Sequence, residues 1–211
     1  MRTYGSGGGH FIVFEGIDGS GKTTQLHRID EALRGMGIPT LVTCEPSDGE
    51  TGKRIRRCLR GEEKADGRLI GELFAEDRLE HAKKLRAVLD GGTWVLCDRY
   101  FLSSLAYQGE CMTAEDLTEI NKAALDILTP SLTLYFHITP EAAAERMNKR
   151  GEAREIFEKL DYQRGVYKRY ADAVRARTVT DNIETVDASA DEETVAKAAL
   201  DVLKAKFGGL K

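Results

Sequence analysis

Gly16-Ile17-Asp18-Gly19-Ser20-Gly21-Lys22-Thr23 has the spacing G-x-x-x-x-G-K-[S/T], residue types suited to holding a phosphate chain. Glycines let the backbone curl until consecutive N–H groups point inward at phosphate oxygens, and a helix N-terminus behind the loop adds partial positive charge. Lys22 then neutralises the β- and γ-phosphates, and the Thr23 hydroxyl, followed by Thr24, is placed to ligate Mg²⁺. A chance glycine-rich turn is the alternative; the apolar run before the loop and the amphipathic pattern after it speak against that. Asp98 ends another apolar run and so sits at a carboxyl edge, where open α/β sheets bind ligands; it suits organising the hydration shell of Mg²⁺, with a turn or cap aspartate as the alternative.

Such a loop specifies a nucleotide and not a reaction. A switch GTPase needs Asp-x-x-Gly and Asn-Lys-x-Asp, whereas Asp98 is followed by Arg99-Tyr100-Phe101 and Asn121-Lys122 by Ala123-Ala124, so that reading fails twice. The elements that must position these residues are legible as apolar runs at Phe11–Phe14, Thr40–Thr43, Trp94–Cys97 and Leu132–Ile138, with a weaker one at Ile183–Val186. Between them Leu26, Ile29, Leu33 and Met36 share one helical face, and Leu117, Ile120, Ala124 and Ile127 share another. Thr113-x-x-Asp116 and Ser189-x-x-Glu192 read as capping boxes, and Thr139-Pro140 as a cap followed by proline at the first helical position. Alternation of this kind predicts an α/β fold: a five-stranded parallel sheet with helices on both faces and a mobile lid. The charged stretch from Glu145 to about Tyr170 departs from the alternation and reads as the flap, with the lid proper at about 145–160.

The chain has 211 residues, enough for one such domain over 11–211, and its glycine-rich start, residues 1–10, reads as a flexible arm. Hydrophobic residues make up 41% and charged ones 31%, and no apolar run approaches the ~20 residues of a membrane span. No secretory signal pattern is seen, so a cytoplasmic location is expected. Cys44, Cys58, Cys97 and Cys111 form no Cys-x-x-Cys pair, which argues against structural zinc. A net charge of −4 argues against a nucleic-acid partner and for a small anionic ligand.

From about Phe11 to Leu203 the chain resembles the thymidylate kinases through four ordered motifs: Phe14-Glu15 with the loop through Thr24, then Glu45-Pro46, then Phe74-Ala75-Glu76-Asp77-Arg78, then Asp98-Arg99-Tyr100 through Ser103-Ser104-Leu105-Ala106-Tyr107-Gln108-Gly109. The resemblance implies transfer of the γ-phosphoryl group of Mg-ATP to the 5′-phosphate of dTMP, giving dTDP and ADP, in a homodimer. A phosphomonoester has its second pKa near ~6, so the acceptor oxygen needs no general base, and catalysis should come from positioning and cationic screening.

In the family, the residue at Arg99 contacts the dTMP phosphate and bridges toward the transferred group, a task for its planar fork. Phe74 and Arg78, four apart and sharing a helical face with Ile70, correspond to the ring that stacks on thymine and the donor to its O4. Ser104 corresponds to a reader of the thymine edge, Tyr107 to the aromatic under the deoxyribose, and Ser103 and Gln108 to the same substrate-lining set. Asp18 matches an acidic residue that accepts from the 3′-hydroxyl, and Glu45-Pro46 a segment carrying a cis-proline beside the acceptor phosphate. Some members carry arginine at the position of Gly19; others have a small residue there and draw the cation from the flap, which here points to Arg154 or Arg150. Arg146 is in place to stack on adenine, with helix-surface solvation as the alternative. Many bacterial relatives have arginine where this chain has Cys44, which is read as a small buried residue or a reactive thiol. The rival readings are another P-loop kinase, acting on a deoxynucleoside or a different nucleoside monophosphate, and a nucleotide-binding protein without turnover.

Overall fold

A computed structural model describes residues 8–149, 156–178, 180–208 and 210. The expected runs form five strands, each within about a residue of its expected bounds: β1 (Phe11–Glu15), β2 (Thr40–Cys44), β3 (Trp94–Asp98), β4 (Leu132–His137) and β5 (Ile183–Asp187). All neighbours pair in parallel, in the order β2-β3-β1-β4-β5. Burial explains the differing strength of the sequence signal. The central β1 is covered on both faces and reads as a continuous apolar run, whereas the edge strand β5 buries only Ile183 and Val186.

The helices are α1 (Lys22–Gly35), α2 (Glu50–Leu59), α3 (Gly67–Asp90), α4 (Phe101–Tyr107), α5 (Ala114–Ile127), α6 (Pro140–Lys149), α7 (Ile156–Arg177) and α8 (Glu192–Phe207). They cover the sheet on both faces: α1 packs on α8, while α3 packs on α5 and α4 on α7. Leu26, Ile29 and Leu33 bury the inner face of α1 as expected, but the helix stops one residue short of Met36, where the chain turns through Gly37 at φ +78°. Thr113 caps α5, its hydroxyl accepting from Asp116 N at 3.1 Å. The expected cap at Ser189 is instead Asp191, whose carboxylate takes the N–H groups of Glu193 and Thr194; a carboxylate outcompetes the hydroxyl two residues upstream.

Two boundaries differ from expectation. Gly9 and His10 are packed and not part of a free arm: Gly9 N donates to Leu89 O at 2.8 Å, and the His10 ring lies 4.6 Å from Trp94 and 4.2 Å from Phe207. Nor is the stretch from Glu145 to Tyr170 all flap. Its two ends continue α6 and α7, and Val166 and Tyr170, four apart on α7, are fully buried. Charged residues on the outer face of that helix mask its apolar stripe in the sequence.

β1 hands the chain past β3 to β2 on one side, and β3 hands it past β1 to β4 on the other, so the crossings diverge beside β1 and its carboxyl end is the switch point of the sheet. The glycine loop leaves β1 there, Asp98 ends β3 beside it, and Glu45-Pro46 follows β2 on the far side of β3.

Candidate functional site

The glycine loop joins β1 to α1 with no side chain capping the helix, so its first-turn N–H groups face the loop opening. Gly19 has φ +81°, and a Cβ there would come within 2.8 Å of Ala143 O and 3.0 Å of Met147; α6 thus occupies the space a larger residue would need. Lys22 is buried, and that burial, aided by Arg99, pushes its ammonium down to about 8 against the pull of Asp98, Asp18 and Glu15. The Thr23 hydroxyl donates to Asp98 Oδ2 at 2.5 Å, while Asp98 Oδ1 is buried without a partner among the described residues. A hydroxyl and a half-satisfied carboxylate side by side suit a hydrated Mg²⁺, which takes one or two protein ligands alongside phosphate oxygens and water. Ile17 contributes only backbone to the loop, its side chain lying in the core.

Asp18 links this loop to a second cleft. One of its oxygens accepts from Arg99 Nη2 at 2.6 Å and lies 3.9 Å from Lys22 Nζ; the other accepts from Gln163 Nε2 at 3.3 Å. Burial would raise its pKa, but Arg99 and Lys22 outweigh that and hold it below the usual carboxylate range. Arg99 has φ +72°, unusual for a residue with a side chain, and its guanidinium is fixed on several sides. Nη1 donates to Ser103 Oγ (3.1 Å) and Tyr170 OH (3.2 Å), Nη2 also to Tyr107 OH (3.0 Å), and the plane sits 4.7 Å from the centre of the Tyr107 ring. Behind it the fully buried Glu15 accepts from Tyr100 N (2.8 Å), Ser103 N (3.1 Å), Ser103 Oγ (2.7 Å) and Tyr170 OH (2.8 Å).

The same cleft is walled by Glu45, Pro46, Phe74, Arg78, Ser103, Ser104, Tyr107, Gln108 and Tyr162, so the expected base-reading set does converge. Ser104 Oγ is buried without a partner among the described residues. Glu45-Pro46 is a cis bond, and the Glu45 carboxylate turns inward to Arg78 Nε at 2.8 Å and His81 Nδ1 at 3.2 Å. Arg56 on α2 donates to Ser47 O (2.7 Å) and Pro46 O (2.6 Å) and so fastens this turn. Burial pushes the Cys44 thiol up against the opposing pull of Arg56, which disfavours the thiolate that a reactive cysteine needs.

Arg146 lies away from this second cleft, lining a groove with Ser20, Gly21, Thr24, Gln25 and the 190–192 turn, where its Nη2 donates to Ser189 O (3.1 Å) and Ala190 O (2.8 Å). Arg150 and Arg154 fall outside the described residues. The sequence reading gave no role to Glu15, Tyr162, Gln163, Tyr170 or Arg56. A signal existed for two of them: Glu15 is a charge closing an apolar run, and Tyr170 stands four residues from Val166 on the buried face of α7. No helix among the described residues is long and apolar enough to cross a membrane.

A family model described as "Thymidylate kinase" matches residues 14–199. The chain is similar to the thymidylate kinase of Caldicellulosiruptor saccharolyticus, 36% identical over 202 residues that cover 93% of this chain and 98% of that one. It is 34% identical to the thymidylate kinase of Geobacillus thermodenitrificans over 96% of this chain and 93% of that one. With a probable thymidylate kinase of Pyrococcus horikoshii it shares 40% over 169 residues, 77% of this chain and 81% of the relative.

Proposed function

This chain belongs to the thymidylate kinase family, and we propose that it transfers the γ-phosphoryl group of ATP to the 5′-phosphate of dTMP, releasing dTDP and ADP. One observation carries the reading: Asp18 binds Arg99 of the acceptor cleft and lies beside Lys22 of the phosphate loop, so the two anions meet at a single cationic point. Nucleophile and donor are both negative, and Lys22 and Arg99 offset the repulsion as they approach in line. In this reading Asp18 accepts from the 3′-hydroxyl of dTMP, Arg99 grips the phosphate, Phe74 stacks on thymine, Arg78 donates to O4, and Ser104 and Gln108 meet the base edge. Tyr107 lies under the sugar, with Ser103 supporting Arg99.

Thr23 and Asp98 would hold Mg²⁺, which when bound supplies charge neutralisation on the β- and γ-phosphates. Arg146 offers its plane to adenine. Gly19 leaves the lid, at about 145–160, to bring the remaining cation, assigned to Arg154 or Arg150. A homodimer and a cytoplasmic location accompany this reading through the family resemblance.

A kinase that phosphorylates a deoxynucleoside hydroxyl needs a free carboxylate as base. The cleft carboxylates Asp18 and Glu45 are each engaged by arginine, which favours a phosphate acceptor. Coupled ADP release should be measured with dTMP, dUMP, CMP, AMP and thymidine as acceptors, with dTMP expected to be the best. Lys22→Ala and Asp98→Ala should each abolish turnover in folded protein. Preference for thymidine over dTMP, or near-wild-type turnover in either variant, sinks the proposal.

A further inference from the structure

Arg78 is among the largest side chains buried outright, and its guanidinium is held on three sides. Nε donates to Glu45 Oε2 at 2.8 Å, Nη2 to Tyr100 O at 3.1 Å, and Nη1 to Oδ1 of Asn121, a residue of α5 with no exposed surface. A guanidinium carries five N–H donors, so these bonds leave one N–H on each terminal nitrogen for the cleft that Arg78 lines. Asn121 itself has a single workable orientation. Its Nδ2 donates to Leu117 O at 2.8 Å, one helical turn back, which turns Oδ1 to Arg78. Glu45 already supplies the counter-charge, so a neutral acceptor fixes the fork without adding an unpaired negative charge to the core.

We propose that Asn121 is a positioning residue for base selectivity: by pinning Nη1 of Arg78 it keeps a donor-only fork facing the acceptor base, so that the cleft takes a 4-keto pyrimidine and refuses a 4-amino one. The inference rests on the acceptor reading above. A 4-keto oxygen accepts from the fork, whereas a 4-amino group sets donor against donor and leaves both without a partner. Without the Asn121 oxygen, Nη1 keeps a buried unpaired N–H and the guanidinium turns to satisfy it. The keto group then loses its partner and the amino group its obstacle, and the ratio between the two falls.

Asn121→Leu keeps the volume and removes the acceptor. Asn121→Ser keeps the bond to Leu117 O, which serine makes readily to the residue four back, but is too short to reach Arg78. Two readouts apply to each folded variant and to the wild type: the ratio of dTMP to dCMP dissociation constants by calorimetry, and the ratio of their kcat/KM values. Both variants should lower each ratio by about tenfold or more, with KM for dTMP raised and kcat little changed. A merely structural role would weaken both nucleotides equally, and ratios within about twofold of wild type in either folded variant overturn the proposal. Should Asn121→Leu fail to fold, Asn121→Ser decides. A wild type that binds both nucleotides equally also overturns it. A wild type that binds dTMP selectively but does not phosphorylate it refutes the proposed function instead, and the calorimetric ratios still test Asn121.

Discussion

Glu15→Ala is expected to lower stability by about 3 kcal/mol and kcat/KM for dTMP by about a hundredfold, although this carboxylate has no polar contact of its own with the cleft cation Arg99. Four donors converge on it, two from backbone N–H groups and two from hydroxyls. The hydroxyls of Ser103 and Tyr170 lie 2.8 Å apart and can turn to bond each other, so they recover part of the loss. Tyr100 N and Ser103 N cannot turn. Each buried, unsatisfied amide costs about 1–3 kcal/mol, which places the sum at roughly 2–6. The lower half of that range is expected because a cavity lined by Glu15, Tyr100, Phe101, Thr133 and Arg177 adjoins the site and lets water reach the amides. In urea, with an m-value of about 2 kcal/mol per molar, the midpoint should drop by about 1.5 M. The kinetic loss has a different origin: Ser103 and Tyr170, which take the Nη1 side of Arg99, lose their common anchor, so the acceptor phosphate is held less accurately. Glu15→Gln keeps one acceptor oxygen and should fall between. A midpoint shift below about 0.5 M, or an unchanged kcat/KM in Glu15→Ala, would refute the claim that this carboxylate organises both the turn and the arginine.

Two further outcomes are expected. Tyr107→Ala should raise kcat/KM for the ribonucleotide form of TMP relative to dTMP, by a steric part of about 1–3 kcal/mol, while weakening both; an unchanged ratio in a side-by-side assay makes the ring scaffolding only. Because burial depresses Lys22 to about 8, kcat/KM for ATP should fall along an alkaline limb with a midpoint near that value, and the limb should vanish in Lys22→Arg. The same shift has a stability sign: between about 8 and 10.5 the folded state binds fewer protons than the unfolded one, so the penalty for burying this ammonium is felt below 8 and relieved as pH rises through that window. A flat pH profile from 7 to 9.5 counts against the depressed lysine.

How legible the fold is depends on which faces are covered. β1, β3 and β4 announce themselves because burial on both sides demands runs that are apolar almost throughout, and α1 and α5 because one side is wet. The second half of the expected flap misleads for the opposite reason. On α7 the exposed Asp161, Arg164 and Lys168 make the composition read as mobile charge, while Val166 and Tyr170 are locked into the core. The Ser189 cap fails on local competition, since Asp191 stands two residues nearer the helix.

The site divides along the same physical line. Residues that must lie in one short segment, such as the glycine loop and Thr23, are legible because the chemistry prescribes their spacing. Residues that act by holding another are not, because what they share is a point in space: Glu15 and Tyr170 are 155 positions apart, and Arg78 and Asn121 are 43. Nothing in a glutamate before a glycine loop, or in an asparagine inside an amphipathic helix, says that an arginine will need it. The need arises only when that arginine must keep its donors aimed at a ligand and away from nearer protein acceptors. A guanidinium buried among Glu45, Asn121 and Tyr100 O can face the cleft only because each of those acceptors already has its hydrogen bond, and that condition is met when the turn after β2, the turn after β3 and helix α5 fold onto α3 together.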